Sequence, residues 1–279
     1  MRLAMSVQST RASSLTSDEI EFFNREGYLV PRRELFPRPK FNALRTHFEE
    51  KIARLAEGVS PESMDTPHFT DPKLFEWLFA DEVLDMIEPL IGPDIALFSS
   101  HFIAKPAGTG RRVPWHEDSA YWKKMMHPHD VVTVWLAIDP STRANGCMKV
   151  IPRTHAGAGG FSEYEDRDPN TNMFAAEIKP KQVDESRAVH LELSPGQCSL
   201  HHAKLMHASD PNTSAMRRCG YTMRYMPTTV KLNEEFCGAF HQLYLARGRD
   251  RAGNRYADPA KSYPHLARFR EESGPKGGH

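Results

Sequence analysis

The chain has 279 residues, of which 39% are hydrophobic, and its 36 basic and 36 acidic side chains give zero formal net charge. Balanced charge argues against nucleic-acid and membrane-surface binding, since both need surplus positive charge. No apolar run approaches the roughly 20 residues of a membrane span. Residues 1–14 lack an apolar signal core and the four cysteines form no CxxC pair, so we expect a cytoplasmic protein with reduced thiols.

The N-terminal third of the chain has the pattern of helices. Thr16 precedes an acidic first turn, which is typical of an N-cap, and Gly27 follows as a stop before a short apolar run. Apolar residues at helical spacing predict further helices over Arg38–Glu57, from Leu74, and over Val83–Ile91. Residues 15–92 are therefore expected to form a helical support.

After residue 92 the pattern changes to short runs of strand-forming residues separated by turn residues. The candidate strands are Ile95–Ala104, Val131–Ile138, Cys147–Ile151, Ala188–Leu193, Gln197–His202 and Cys219–Met226. This spacing predicts a mainly β sandwich or barrel over residues 93–230. The polar stretch 156–185 is expected to be a loop that acts as a lid. Residues 231–279 are expected to form an irregular or helical extension of the same single domain, 1–279.

The most informative motif is the segment 114–118, PWHED, read together with His207 and Arg218 about a hundred residues downstream. If the segment is extended, His116 and Asp118 point the same way. With a distant histidine they make a 2-His-1-carboxylate set, which binds non-haem Fe(II) and leaves positions open for oxygen chemistry. Arg218 could grip a carboxylate through two parallel hydrogen bonds. With fourteen histidines in the chain, H-x-D alone is equally explained by a strand end with surface side chains.

Four blocks of sequence make the interpretation more specific. They are WHEDSAYW at 115–122, TVWLAI at 133–138, NGCMKVIPRTH at 145–155, and the stretch from Pro195-Gly196 through His207-Ala208-Ser209 to Arg218. Together they resemble the phytanoyl-CoA dioxygenase family of Fe(II)/2-oxoglutarate oxygenases over about residues 15–230. The resemblance implies a double-stranded β-helix, the cupin-like jelly roll, with N-terminal helices packed around it.

The resemblance also implies roles for individual residues. His116, Asp118 and His207 would be the iron ligands, and Arg218 would pair with the far carboxylate of 2-oxoglutarate. Ser209, Trp135 and His101 would contact this co-substrate. The lysine that the family supplies from the segment before the barrel has no clear equivalent around Pro67-His68-Phe69.

The implied enzyme consumes O₂ and 2-oxoglutarate and releases succinate and CO₂. It would hydroxylate or otherwise oxidise a C–H bond of a small molecule, with natural-product intermediates among the family's substrates. Related halogenases carry a small residue at the carboxylate position, so Asp118 favours hydroxylation.

Several alternatives stay open at this point. His201 and His202 compete with His207 as the third ligand, although Arg218 has its expected spacing only from His207. Arg224 is either paired or a contact for an anionic substrate, and Trp122 is either core or pocket wall. The whole site could instead belong to a jelly-roll metal isomerase or hydrolase without 2-oxoglutarate, or to a non-catalytic module that binds a small molecule.

Overall fold

The computed structural model describes residues 14–55, 64–157, 162–238 and 240–266. Its helices are α1 (Ser17–Glu26), α2 (Arg38–Ala53), α3 (Phe75–Leu78), α4 (Asp81–Ile91), α5 (Asp118–Tyr121) and α6 (Glu234–Cys237). The strands before residue 180 are β1 (Tyr28–Leu29), β2 (Met64–Asp65), β3 (Ile95–Lys105), β4 (Val113–His116), β5 (Met126–His127), β6 (Val132–Ala137), β7 (Met148–Val150), β8 (Tyr164–Asp166) and β9 (Ala176–Ile178). Those after it are β10 (Val189–His190), β11 (Cys198–His202), β12 (His207–Ser209), β13 (Arg218–Pro227), β14 (Lys231–Leu232) and β15 (Tyr244–Arg247).

Two antiparallel sheets form the body of the protein. The larger has the strand order β1-β11-β6-β13-β3-β15, with β2 also paired to β3, and the smaller has the order β10-β7-β12-β4. Neighbours in each sheet are mostly distant in sequence, as expected when the chain passes repeatedly between two facing sheets. The predicted mainly β jelly roll is confirmed.

Both faces of the larger sheet are buried, and the side chains of β6 show this by alternation. Val134 and Leu136 belong to a core cluster that also contains Phe48 of α2 and Val83 of α4. Trp135 points the other way, into a second cluster between the two sheets. The helices therefore cover the outer face, while the inner face is left to line a cavity.

The N-terminal helices begin and end largely where the sequence predicts. Thr16 and Glu19 form a capping box at the start of α1, and Gly27 ends it in the left-handed conformation at φ 81°. Helix α2 ends at Ala53, earlier than the predicted Glu57, which lies outside the described residues. Its packing stripe on the sheet runs only as far as Ile52.

Arg217 connects the helical layer to the sheet. Its guanidinium donates to both carboxylate oxygens of Glu49, on α2, at 3.0 and 2.6 Å. It also donates to Asp139 at 2.7 and 2.9 Å. Arg217, which immediately precedes β13, is therefore a clamp between the helical layer and the sheet.

Two segments that the sequence pattern treats as irregular contain strands. Within the predicted lid, β8 and β9 pair as a hairpin. In the C-terminal extension, β15 adds to the larger sheet beside β3. In the described residues, no helix combines the length and apolarity needed to cross a bilayer.

Gly220 allows the Trp135 ring to lie against β13. A Cβ at this position would come within 2.0 Å of a ring atom of Trp135. We expect Gly220→Ala to lower the free energy of unfolding by about 1–3 kcal/mol, because a buried indole must move to make room. Urea unfolding followed by tryptophan fluorescence measures the free energy of unfolding, and the fluorescence of the folded variant reports the movement of the indole. In Gly157→Ala the new Cβ lies 3.4 Å from the nearest atom, so a comparable loss there would contradict this explanation.

Candidate metal centre and co-substrate pocket

Strand pairing brings the two histidines together. His116, the last residue of β4, lies opposite His207, the first of β12, and their ring centroids are 4.0 Å apart. Asp118 completes the cluster, with Oδ1 3.8 Å from Nε2 of His116 and 3.9 Å from Nε2 of His207. One donor atom from each residue lies within 4.8 Å of the other two.

Asp118 reaches the cluster differently from the expectation. The strand ends at His116, and Asp118 is the first residue of the short helix α5. Only the residue between them, Glu117, is extended, at φ −115° and ψ 126°. One extended residue suffices to put its two neighbours on the same side.

Backbone carbonyls orient both imidazoles. Nδ1 of His116 is 2.8 Å from the carbonyl oxygen of Pro114, and Nδ1 of His207 is 2.9 Å from that of Leu205. Because a carbonyl can only accept, each Nδ1 carries the proton and each Nε2 presents a lone pair to the cluster centre. Burial lowers the pKa of His116 to about 4 and the pKa of His207 well below its ordinary value, so both rings are neutral at neutral pH.

The Asp118 carboxylate is ionised in this buried place. Burial acts to raise its pKa, but the Arg224 cation holds the pKa well below its ordinary value. Thr133 Oγ1 and Arg224 Nε each lie 3.4 Å from Oδ2. Oδ1 is left facing the two imidazoles, which suits binding to a metal through one oxygen.

A cavity opens beside the triad, and concave sites of this kind are where small molecules normally bind. Arg218, Ser209 and Trp135 line its wall. The Arg218 guanidinium carbon lies 5.2 Å from the Trp135 ring centroid, and Arg218 is 2% exposed. A buried guanidinium at the wall of a cavity suits recognition of a carboxylate.

Two residues near the cavity were missed by sequence reasoning. Lys105, one residue past the predicted strand, is buried opposite Arg218 and donates from Nζ to Ser209 Oγ at 2.7 Å. The sequence pattern could have revealed it, because Lys105 is four residues after His101 and alternate residues of a strand point to the same face. Phe174 comes from the stretch expected to be irregular and packs edge-on against His116 at 4.8 Å between ring centroids. Nothing in that polar stretch marks it.

Two other predicted site residues lie off the cavity wall. His101 faces the barrel interior opposite Thr222 and is 3.8 Å from the Asp65 carboxylate, but it is not among the lining residues. Trp122 packs edge-on against Phe98 at 4.8 Å between ring centroids and lies behind Arg224, whose guanidinium carbon is 5.5 Å from the Trp122 ring centroid.

Two histidines, His201 and His202, compete with His207 as the third ligand. They are adjacent on β11, so their side chains point to opposite faces of the sheet. His202 accepts a hydrogen bond at Nδ1 from the backbone N–H of Lys204 at 3.1 Å and lies beside His155, away from the triad. His201 lines the cavity, with Nε2 3.7 Å from Asp118 Oδ2. It is therefore close to the cluster but on the far oxygen of the carboxylate.

Buried ion pairs fasten the hairpin β8–β9 to the strand that carries His116. The Glu177 carboxylate accepts from Arg112, from Arg167, and from the backbone N–H of Trp115 at 3.1 Å. Burial opposes ionisation, yet these arginines lower the pKa of Glu177 to about 2. The base of the stretch predicted as a lid is thus bonded to the barrel.

We expect Glu177→Gln to lower the free energy of unfolding by roughly 2–3 kcal/mol at pH 7. The folded-state pKa is below the ordinary 4.5, so the stabilisation is present above that value and is lost as pH falls towards about 2. The difference between wild type and variant in urea unfolding should accordingly shrink to less than half at pH 3. Glu165→Gln removes a partly exposed partner of Arg167 and should change stability by less than about 1 kcal/mol. A pH-independent difference at Glu177 would contradict the ion-pair explanation.

Comparisons with known proteins agree with this geometry. The sequence model of phytanoyl-CoA dioxygenase (PhyH) matches residues 23–220. A probable phytanoyl-CoA dioxygenase of Caenorhabditis elegans is 29% identical over 259 residues, which covers 83% of this chain and 80% of that protein. The apo structure of the non-heme monooxygenase ThoJ aligns with a TM-score of 0.69 and 23% identity over 90% of this chain and 93% of ThoJ. The structure of CytC3 with Fe(II) and alpha-ketoglutarate aligns with a TM-score of 0.63 and 23% identity over 88% of this chain and 95% of CytC3.

A jelly roll with two imidazoles and one carboxylate beside a cavity defines the class of non-haem iron oxygenases. The family match extends over most of the chain, from the end of α1 into β13. The chain belongs to the phytanoyl-CoA dioxygenase family of Fe(II)/2-oxoglutarate-dependent oxygenases.

Proposed function

We propose that this enzyme uses Fe(II), 2-oxoglutarate and O₂ to hydroxylate, or otherwise oxidise, a C–H bond of a small organic molecule. The observation that carries the proposal is the convergence of His116, Asp118 and His207 beside a cavity whose wall contains Arg218. A metal-binding face alone would suit many reactions. The buried guanidinium adds a partner for a dicarboxylate co-substrate.

Each of the three side chains has the protonation state and the orientation that binding of Fe(II) requires. The two imidazoles are neutral and oriented by backbone carbonyls, and Asp118 is charged with one oxygen turned to the cluster centre. Together the three side chains would hold Fe(II), and a 2-His-1-carboxylate set would leave it able to take further ligands. Bound iron would supply the oxygen chemistry, while the protein positions the reactants and desolvates the site.

On the co-substrate side, Arg218 would hold the far carboxylate of 2-oxoglutarate in a bidentate pair. Ser209 would add a hydroxyl hydrogen bond, and Trp135 would form the adjacent wall. Lys105 supports Ser209 by donating to its hydroxyl. The CytC3 structure, which shares the fold, contains the same metal and co-substrate.

Apolar side chains on the rest of the wall would keep water away from the reaction. They include Ile103, Val113, Met148, Met173 and Phe174. Phe174 covers one edge of the His116 ring. His101 and Trp122, which lie off the wall, would act through the residues in front of them and not by direct contact.

The alternatives explain less of the site. In a metal isomerase or hydrolase without 2-oxoglutarate, the 2%-exposed Arg218 on the cavity wall would have no carboxylate to anchor. In a binding module without catalysis, neither the oriented imidazoles nor the charged Asp118 would have a function.

Anaerobic titration with Fe(II) and 2-oxoglutarate should produce a weak visible charge-transfer band in the wild type. Asp118→Ala should abolish the band, since a third of the metal face is lost. Arg218→Gln should bind 2-oxoglutarate about 10–100-fold more weakly, as expected for a lost charge-assisted pair. Arg247→Gln is the matched control, because Arg247 is paired with Asp85 and Glu88 outside the cavity. Absence of any band in the folded wild type would refute the proposal.

Screening candidate metabolites should identify one that raises succinate release severalfold over the uncoupled rate. Mass spectrometry should then find a product heavier by one oxygen atom, formed in proportion to succinate. Turnover that continues without O₂ would instead support the isomerase or hydrolase alternative.

A further inference from the structure

The charges around the cavity do not balance once the proposed cofactors are bound. Among the described residues, the charged side chains on the wall are Asp118, Arg218 and Arg224. The two charges of Fe(II) cancel the two of 2-oxoglutarate, so one positive charge remains on the wall, besides the ammonium of Lys105 behind Ser209. An uncompensated charge in a buried place is costly. A further anion would remove that cost.

Arg224 is a cation on the wall with unused hydrogen-bond donors. It is 5% exposed, and its guanidinium has five N–H donors. In the described part of the chain these donors make only two long contacts, both at 3.4 Å, from Nε to Asp118 Oδ2 and from Nη1 to Thr222 Oγ1. One of those partners is a proposed metal ligand, whose charge is shared with the iron. The Trp122 ring holds the guanidinium in place, but most of its N–H groups have no hydrogen-bond acceptor among the described residues.

His201 provides a second, independent sign of a ligand. It is 1% exposed and lines the cavity, and in the described structure neither ring nitrogen has a hydrogen-bond partner. Its nearest carboxylate oxygen, Asp118 Oδ2, is 3.7 Å from Nε2, which is longer than a hydrogen bond. A buried polar side chain aimed into a cavity without a partner is normally satisfied by something that binds there.

These two side chains lie in one row across the sheet. Arg224 of β13 is opposite Thr133 of β6, which is opposite His201 of β11. Strands are roughly 4.8 Å apart, so Arg224 and His201 flank Thr133 on the same inner face at a spacing of about 10 Å. Asp118 Oδ2 lies between them, 3.4 Å from Arg224 Nε and 3.7 Å from His201 Nε2, so a substrate oxyanion would reach their remaining donors from the cavity side.

This row is remote from the co-substrate anchor. Arg218 and Arg224 are six residues apart on the same strand, about 20 Å along it, and Asp118 contacts Arg224. A 2-oxoglutarate that extends from Arg218 to the metal therefore leaves Arg224 unused.

We propose that Arg224 and His201 form an oxyanion subsite for the primary substrate, and that this substrate is a small organic acid with an apolar body. The inference rests on the function proposed above. The carboxylate would lie against the row of Arg224 and His201, and the body against Met173 and Phe174. Because the row borders Asp118, the C–H bond that is oxidised lies only a few atoms from the acid group.

The test compares acids with their uncharged isosteres in the anaerobic protein loaded with Fe(II) and saturating 2-oxoglutarate. The probes are hexanoate against hexanamide and 3-phenylpropanoate against 3-phenylpropanamide, with dissociation constants from ligand-observed NMR. We expect the wild type to bind at least one acid about tenfold or more tightly than its amide, the factor typical of one charge-assisted hydrogen bond.

The variants assign that preference to residues. Arg224→Gln should reduce it to below about threefold, and His201→Phe, which keeps a ring of similar size, should reduce it severalfold. Arg224→Lys keeps the charge and should retain part of the preference. Each variant is compared with the wild type at equal Fe(II) loading, read from the charge-transfer band, which separates anion binding from support of Asp118 as a metal ligand.

The outcomes are distinguishable. A missing charge-transfer band in the wild type refutes the proposed function before the probes are added. A normal band with no acid preference in any pair, or with a preference that survives Arg224→Gln, overturns the subsite. So does a loss of 2-oxoglutarate affinity in Arg224→Gln as large as that in Arg218→Gln, because Arg224 would then belong to the co-substrate.

Discussion

A single buried carboxylate, Asp118, organises the charges of this site. It has two neutral imidazoles on one oxygen and a hydroxyl and a guanidinium on the other. A carboxylate in an apolar barrel would normally take up a proton, and the adjacent cation prevents this. The rest of the site is arranged around this carboxylate. One of its oxygens faces the position for a metal, and the other faces the Arg224 cation that keeps the carboxylate charged.

The scaffold explains how residues nearly a hundred positions apart can do this. Antiparallel pairing of β4 with β12 puts His116 opposite His207, and carbonyls two residues before each ring hold the tautomer. Neither histidine depends on a long flexible loop. A metal bound here would join two strands of the smaller sheet, so its binding free energy also stabilises the fold.

Much of this could be read from residues and their spacing. The caps at Thr16 and Gly27 located α1, and the H-x-D motif with the family resemblance selected the three side chains that the structure brings together. Lys105 and Phe174 were missed for physical reasons. A lysine at a strand end resembles a surface residue until the register buries it, and a hairpin held by ion pairs has no apolar periodicity to detect.

The helical layer has a consequence for the chemistry through the Arg217 clamp. This residue immediately precedes the proposed co-substrate anchor on β13 and is tied to Glu49 on α2 and to Asp139, two residues after β6. The backbone from which Arg218 projects is thus held from outside the barrel by the N-terminal helices. Evolution of that outer layer can accordingly retune how firmly the cavity holds a dicarboxylate, without altering any side chain inside it.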